Sequence, residues 1–103
     1  MSLNLWLDSV NAPPKGWRAV KSFEEFFDIL EESGDEIKQI SLSALFDGDG
    51  IRAAQEIESR AGDGYIPQSV LVLHEVSSVP SINSVIRRHF ASAQESWNSL
   101  EED

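Results

Sequence analysis

The chain has 103 residues, of which 18 are acidic and 8 are basic, so its formal net charge at pH 7 is −10. This charge repels phosphate backbones and anionic bilayers, so we expect neither direct nucleic-acid binding nor membrane binding. The sequence contains no cysteine, which excludes disulfide bonds, a thiolate nucleophile and cysteine-ligated zinc. The length is that of one globular domain, which we place at residues 1–98 with an acidic tail at 99–103.

The first residues lack the basic segment and the apolar stretch of about 7–15 residues that form a secretory signal. No run approaches the roughly 20 apolar residues that a membrane-spanning helix needs. We therefore expect a cytoplasmic protein.

The first predicted strand is the hydrophobic run Leu3–Leu7, and it leads directly into Asp8. Open α/β sheets bind their ligands beyond the carboxyl ends of the strands, where the flanking helices leave a crevice. Asp8 is therefore the first candidate site residue. The turn after it contains Pro13, Pro14 and Gly16 and predicts a rigid connection.

The first predicted helix covers residues 23–33. Ser22 and Glu25 have the spacing of a capping box, in which two side chains bind the free N–H groups at a helix start, and Gly34 is a typical residue to end the helix. The apolar residues that recur at helical spacing are Phe23, Phe26, Phe27 and Leu30.

The same helix is strongly acidic. Seven acidic residues and no basic residue lie between Glu24 and Glu36. Because the apolar stripe must face the core, these carboxylates face outward. They form either a solvated surface or a docking surface for a basic protein, with Glu24, Asp28 and Glu31 as the contact residues.

Further along the chain, the patterns predict a strand over 37–42, a helix over about 50–61, a strand over 69–74 and a last helix that begins near Ser81. Strands that alternate with helices are typical of a three-layer α/β sandwich with a mainly parallel sheet and helices on both faces. The strand over 69–74 contains four consecutive apolar residues, which favours a central position in the sheet.

Three strand ends meet at one edge of this sheet and bring Asp8, Ser43, His74 and Glu75 into one region. Asp8 and His74 are suited to act as a base and an acid or as metal ligands. A hard divalent cation, however, usually takes more than one carboxylate from the protein, and an isolated histidine is more often structural. No serine has the sequence signature of a nucleophile.

The segment Asp47-Gly48-Asp49-Gly50 has the composition of a calcium loop but not its twelve-position ligand spacing. We expect Asp49 to cap the second helix instead.

Residues 8–17 read Asp-Ser-Val-Asn-Ala-Pro-Pro-Lys-Gly-Trp. This segment resembles the opening motif of the cyclic-phosphate processing receiver-like domains, Asp-Asp-x-Arg-x-x-Pro-x-Gly-Trp. The resemblance extends over about residues 3–90. It includes the segment 22–25 at the start of the first helix, the strand 40–42, the pair Asp49-Gly50, and His74 at the histidine of the family's His-Ser-Ala-Asn-Pro motif. It implies a small receiver-like, flavodoxin-like fold.

The resemblance also implies that most of the family's site has been replaced. Members act on cyclic phosphates or phosphorylated nucleic-acid ends with a metal held by an acidic cluster, and only Asp8 and His74 of that site are kept here. Ser9 occupies the position of the family's second aspartate, and Asn11 occupies the position of its arginine. Residues 43–45, which read Ser-Ala-Leu, stand for Asp-His-Asp, and Glu75 follows the histidine. The vestigial pocket then consists of Ser9, Asn11, Ser43 and Glu75.

Our leading hypothesis is a catalytically degenerate receiver-like domain that serves as a protein-interaction or regulatory module for a protein partner, and the acidic face of the first helix would suit a basic one. We expect no cofactor and no metal, and the replaced site favours the absence of enzymatic activity. One alternative is a metal-dependent phosphohydrolase or phosphodiesterase for cyclic phosphates, with a divalent cation at Asp8 and His74 as the acid. Another is an acidic inhibitor that mimics the charge of nucleic acid.

Overall fold

Strands and helices of an α/β fold make up the computed structural model, which describes residues 2–66 and 70–101. The strands are β1 (Leu3–Leu7), β2 (Arg18–Val20), β3 (Ile37–Ser43) and β4 (Val70–Glu75). The helices are α1 (Phe23–Ser33), α2 (Gly50–Gly62) and α3 (Pro80–Glu101). The predicted bounds of α1 are confirmed, whereas β2 was not predicted.

The four strands form one sheet in the order β2-β1-β3-β4, and every neighbouring pair is parallel. The α/β class and the parallel sheet are confirmed, and the arrangement is consistent with a small flavodoxin-like sandwich. The predicted central position of the strand over 69–74 was wrong, because β4 lies at an edge and β1 and β3 are central. Residue 69 of that prediction lies outside the described residues.

The hydrophobic core lies on one face of the sheet. Leu5 pairs with Ile40 and Leu7 with Leu42, and all four side chains are buried on this face. All three helices contribute to the same buried cluster, through Phe26, Ile29 and Leu30 of α1, Ala53, Ala54, Ile57 and Ala61 of α2, and Ile86, Phe90 and Ala93 of α3. Burial of apolar side chains on this face is the main stabilising contribution to the fold.

On the opposite face of the sheet, a loop packs against β1. Trp6 alternates with the buried leucines of β1 and therefore points to this face. Trp17 packs edge-on against it, with ring centroids 5.9 Å apart. We expected helices on both faces, but the connection from β1 to β2 contains Pro13 and Pro14, which do not fit in a helix interior. A proline-containing loop therefore packs against this face of the sheet, where we expected a helix.

Local hydrogen bonds explain where α1 begins. The Glu25 N–H donates to Ser22 Oγ at 3.1 Å, which confirms the predicted cap, and the Lys21 N–H donates to Glu25 Oε1 at 3.0 Å. Phe27 was predicted to face the core but is 38 % exposed, and its ring contacts the guanidinium of Arg60.

The loop before α2 is shaped by close backbone packing. A Cβ atom on Gly50 would lie 2.6 Å from Ala44 O and 2.7 Å from Ser43 O, so only glycine fits where α2 begins. Asp49 occupies the N-cap position, but its side chain makes no capping hydrogen bond, contrary to the prediction. Asp47 instead accepts a hydrogen bond from the Phe23 N–H at 2.9 Å and so joins this loop to the start of α1.

The last helix continues to Glu101, so residues 99–101 of the predicted tail belong to α3. In the described part of the chain, no helix combines the length and the hydrophobicity that crossing a bilayer requires.

Candidate functional site

Asp8 lies at the carboxyl end of β1 and is only 2 % exposed. Its Oδ1 accepts hydrogen bonds from the N–H groups of Val10 at 2.8 Å and Asn11 at 2.9 Å. Its Oδ2 accepts from Asn11 Nδ2 at 3.0 Å and pairs with His74 Nε2 at 2.9 Å. A carboxylate offers about four acceptor positions, so these four interactions use the whole accepting capacity of Asp8.

The hydrogen bonds also determine the charge of this carboxyl group. Burial by itself raises the pKa of Asp8, since it disfavours the charged form. The hydrogen bonds from Asn11, His74 and Val10 outweigh that effect and lower the pKa from 3.8 to about 2. Asp8 is therefore ionised at neutral pH, and its negative charge is compensated within the protein.

His74 joins Asp8 to β3. Its Nε2 faces Asp8, and its Nδ1 lies 2.8 Å from Ser41 Oγ. Because the ionised Asp8 only accepts hydrogen bonds, His74 must carry a proton on Nε2. In the neutral imidazole, Nδ1 then accepts the hydroxyl proton of Ser41. The ring also stacks on Trp6, with centroids 3.7 Å apart and planes 14° apart.

The chain of hydrogen bonds from Ser41 through His74 to Asp8 was not predicted from the sequence. A hydroxyl, an imidazole and a carboxylate in this order are the groups that activate a serine nucleophile. Ser41, however, lies in the middle of β3 and is only 3 % exposed, so a substrate does not reach its oxygen in this structure. The three groups instead link the end of β1 with β3 and β4.

Asn11 connects the two carboxylates of the site. Its Nδ2 donates to Asp8 Oδ2 at 3.0 Å and to Glu75 Oε2 at 2.7 Å. Ser43 Oγ also donates to Glu75 Oε2, at 3.4 Å, and accepts from the Leu45 N–H at 3.2 Å. The side-chain amide of Asn11 therefore lies between two carboxylates, at the position where a bridging cation would interact with both.

The structure brings together most of the residues that the sequence singled out. The pocket residues Asp8, Asn11, Ser43, His74 and Glu75 form one hydrogen-bonded cluster, which we call the Asp8 cluster. Ser9 makes a different contact: its Oγ accepts from the Asp47 N–H at 3.2 Å and joins two loops.

The Asp8 cluster contains a possible set of metal ligands. One ligand atom each of Asp8, His74 and Glu75 lies within 4.8 Å of the others. These donors suit a divalent cation in kind, but the lone pairs of Asp8 are occupied and the Asn11 amide lies between the carboxylates. The residues therefore do not fit a cation unless several hydrogen bonds are broken first.

The predicted partner-binding residues lie on another surface. Glu24, Asp28 and Glu31 are exposed on α1. Glu31 forms an ion pair of 2.7 Å with Arg60, which also contacts Glu56 at 2.9 Å. Hydrogen bonds to Glu31 and then to Glu56 raise the pKa of Arg60. Glu31 is thus exposed on this surface and also forms an ion pair with Arg60 of the same chain.

Sequence reasoning missed a group of exposed aliphatic side chains. They follow the carboxyl ends of β1, β3 and β4 and so lie at the same sheet edge as the Asp8 cluster. We call them the apolar rim: Val10, Leu45, Val76 and Val79, which are 82 %, 52 %, 53 % and 47 % exposed. The rim could have been predicted from the sequence, because its members are aliphatic residues in turn segments.

Comparison with protein-family models, with curated proteins and with solved structures finds no match for this chain.

Proposed function

We propose that this chain is a receiver-like protein-interaction or regulatory module in which the former catalytic pocket has a structural role. The observation that carries the proposal is the saturation of Asp8, whose four acceptor positions are all used by donors from the same chain. A carboxylate in this state has no free lone pair for a metal and no free position for a substrate proton.

The surface around the pocket has the properties of an interface. Contact regions between proteins usually have an apolar centre and a polar periphery. The apolar rim supplies exposed aliphatic groups at the carboxyl edge of the sheet. The start of α1 lies beside it, because the Phe23 N–H binds Asp47 and the Asp47 N–H binds Ser9. Glu24 in this first turn adds negative charge next to the rim.

These features define the chemistry of the expected partner. An overall charge of −10 attracts basic proteins and accelerates their association. The partner should therefore present apolar side chains to the rim and basic side chains to the acidic face of α1. This interpretation agrees with a cytoplasmic regulatory role.

Site-specific photo-crosslinking tests the proposal in cells that express the protein. A photoreactive amino acid at Val10 or Val76 should give one protein adduct, and Glu24→Gln with Asp28→Asn should weaken it. Lys38 is the matched control, because it is exposed at the opposite end of the sheet. The proposal is wrong if the rim positions give no adduct above that at Lys38.

A second candidate function is a metal-dependent phosphohydrolase or phosphodiesterase. The proximity of ligand atoms from Asp8, His74 and Glu75 favours it. If it is correct, the wild-type protein should hydrolyse a 2′,3′-cyclic nucleotide with added Mn²⁺, and Asp8→Ala and His74→Ala should each abolish turnover in a folded protein.

An inhibitor that mimics nucleic acid would have a different partner, namely a nucleic-acid-binding protein. Added DNA would then compete with this chain for that partner.

A further inference from the structure

In the part of the chain that the structure describes, β4 lies at the edge of the sheet and has one unpartnered side. Among residues 2–66 and 70–101 it pairs only with β3. A fifth strand added to this end of the sheet would lie against the outer side of β4. The backbone N–H and C=O groups on that side are therefore available for pairing with another strand.

The edge of β4 carries few of the features that prevent pairing. Natural edge strands are commonly protected by lysine, proline or a bulge. The segment 71–73 reads Leu-Val-Leu and contains neither a charge nor a proline, and Val72 is 41 % exposed. The irregularity in β4 lies at its carboxyl end, where Leu73 and Glu75 pair with consecutive residues of β3.

A groove lies beside β4. It has a volume of about 360 Å³ and lies between β4 and α3. Leu71 and Leu73 form one wall, and Arg87, Phe90 and Ala91 form the other. Because α3 packs mainly against α2, it leaves this side of β4 open.

The distribution of charge favours a second copy of the same chain as the occupant. The seven acidic residues between Glu24 and Glu36 surround α1, which leads away from β2 at the opposite edge of the sheet. The helix beside β4 carries Arg87 and Arg88. Two copies that meet at β4 thus keep their most acidic surfaces far apart, which limits repulsion between two chains of like net charge.

We propose that β4 pairs antiparallel with β4 of a second copy about a two-fold axis and joins the two sheets into one. A two-fold axis makes an edge strand complementary to itself. In the antiparallel arrangement, Glu75 of one copy lies opposite the start of β4 in the other copy rather than opposite its own equivalent. The inference is independent of the proposed function, because Val72 belongs neither to the apolar rim nor to the Asp8 cluster.

Sedimentation velocity of the full chain over a range of concentrations tests the inference. The wild-type protein should dimerise, and Val72→Lys should weaken association by roughly tenfold or more, because it places a charge at the centre of the interface. Gln55→Lys is the matched control, since it adds the same charge at an exposed position of α2 outside β4, and it should dimerise like the wild type.

Amide hydrogen exchange tests the inference on the wild-type protein, so the result does not depend on whether a variant folds. In the wild-type protein, exchange of the β4 amides should slow as the concentration rises, while exchange at Asn11 should not change. A wild-type protein that stays monomeric, a dimer that Val72→Lys leaves intact, or binding of another protein's strand at β4 without self-association would each overturn the inference.

Discussion

Asn11 and Glu75 are 64 positions apart in the chain, and the Asn11 Nδ2 donates a hydrogen bond of 2.7 Å to Glu75 Oε2. The same nitrogen donates to Asp8 Oδ2 at 3.0 Å. A neutral amide thus connects two carboxylates that would otherwise repel each other at close range. The Asp8 cluster is therefore held together by donors of the chain itself.

The hydrogen bond between Asp8 and His74 should contribute measurably to stability. His74→Phe keeps an aromatic ring on Trp6 but removes one of the four hydrogen bonds to Asp8 and the side-chain hydrogen bond of Ser41. We expect a loss of about 2 kcal/mol in the free energy of unfolding, since the bond involves a charged, buried group. Urea denaturation measures it. His89→Phe is the control, because His89 pairs with Glu58 nearer the surface, and it should cost much less.

Acid should remove the stabilisation that Asp8 provides. The pKa of Asp8 is lowered from 3.8 to about 2, so its folded form binds the proton more weakly than the unfolded form does. The resulting contribution of about 2 kcal/mol is fully present above about pH 5 and is lost as the pH falls toward 2.

The difference between wild type and Asp8→Asn isolates this effect from the other carboxyl groups. We expect the gap between their free energies of unfolding to narrow steadily between about pH 5 and pH 2. Asp28→Asn, on the exposed face of α1, should retain the wild-type slope. A gap between wild type and Asp8→Asn that stays constant with pH would contradict the assigned role of Asp8.

The parts of the fold that depend on local sequence were predicted from it. Ser22 and Glu25 define the start of α1 through contacts within one turn, and the observed helix has the predicted bounds. The strand β2 was missed because three residues at a sheet edge show no periodic pattern, and their pairing depends on distant β1. The apolar run of β4 indicated a strand, but hydrophobicity alone does not determine the order of strands.

The position of the candidate site was predicted from the sequence, but the hydrogen bonds and the ring contact within it were not. Parallel strands deliver Asp8, Ser43 and His74 to one sheet edge, which topology alone implies. The stacking of His74 on Trp6 and its bond to Ser41 depend on which side chains share the second face, and that depends on the register of three strands. Such contacts between distant residues are not visible in one sequence.

Gly50 should be required for the packing of α2 against β3. Gly50→Ala places a methyl group within 2.7 Å of two backbone oxygens, which cannot move without displacing the end of β3. We expect a loss of about 1–3 kcal/mol in thermal or urea denaturation. Gly62→Ala is the control at the other end of the same helix. Its Cβ meets nothing within 4 Å, so the variant should be as stable as the wild type or slightly more stable.

The amide of Asn11 should be the feature that excludes a cation from the pocket. Asn11→Asp removes the bridging donor and places a third carboxylate beside Asp8 and Glu75, where repulsion among the three destabilises the fold. A divalent cation relieves that repulsion and finds several oxygen ligands together with His74. We therefore expect Asn11→Asp to melt at a lower temperature than wild type without metal and to regain stability with Mn²⁺.

Thermal denaturation with and without Mn²⁺ measures this effect, which should reach about 2.7 kcal/mol at a hundredfold excess over the dissociation constant. Asn98→Asp is the matched control. It makes the same substitution at an exposed position of α3 outside the cluster, so Mn²⁺ should not stabilise it. Equal stabilisation of the wild-type protein by Mn²⁺ would show that the Asn11 amide does not exclude a cation, and it would favour the phosphohydrolase function over the interaction module.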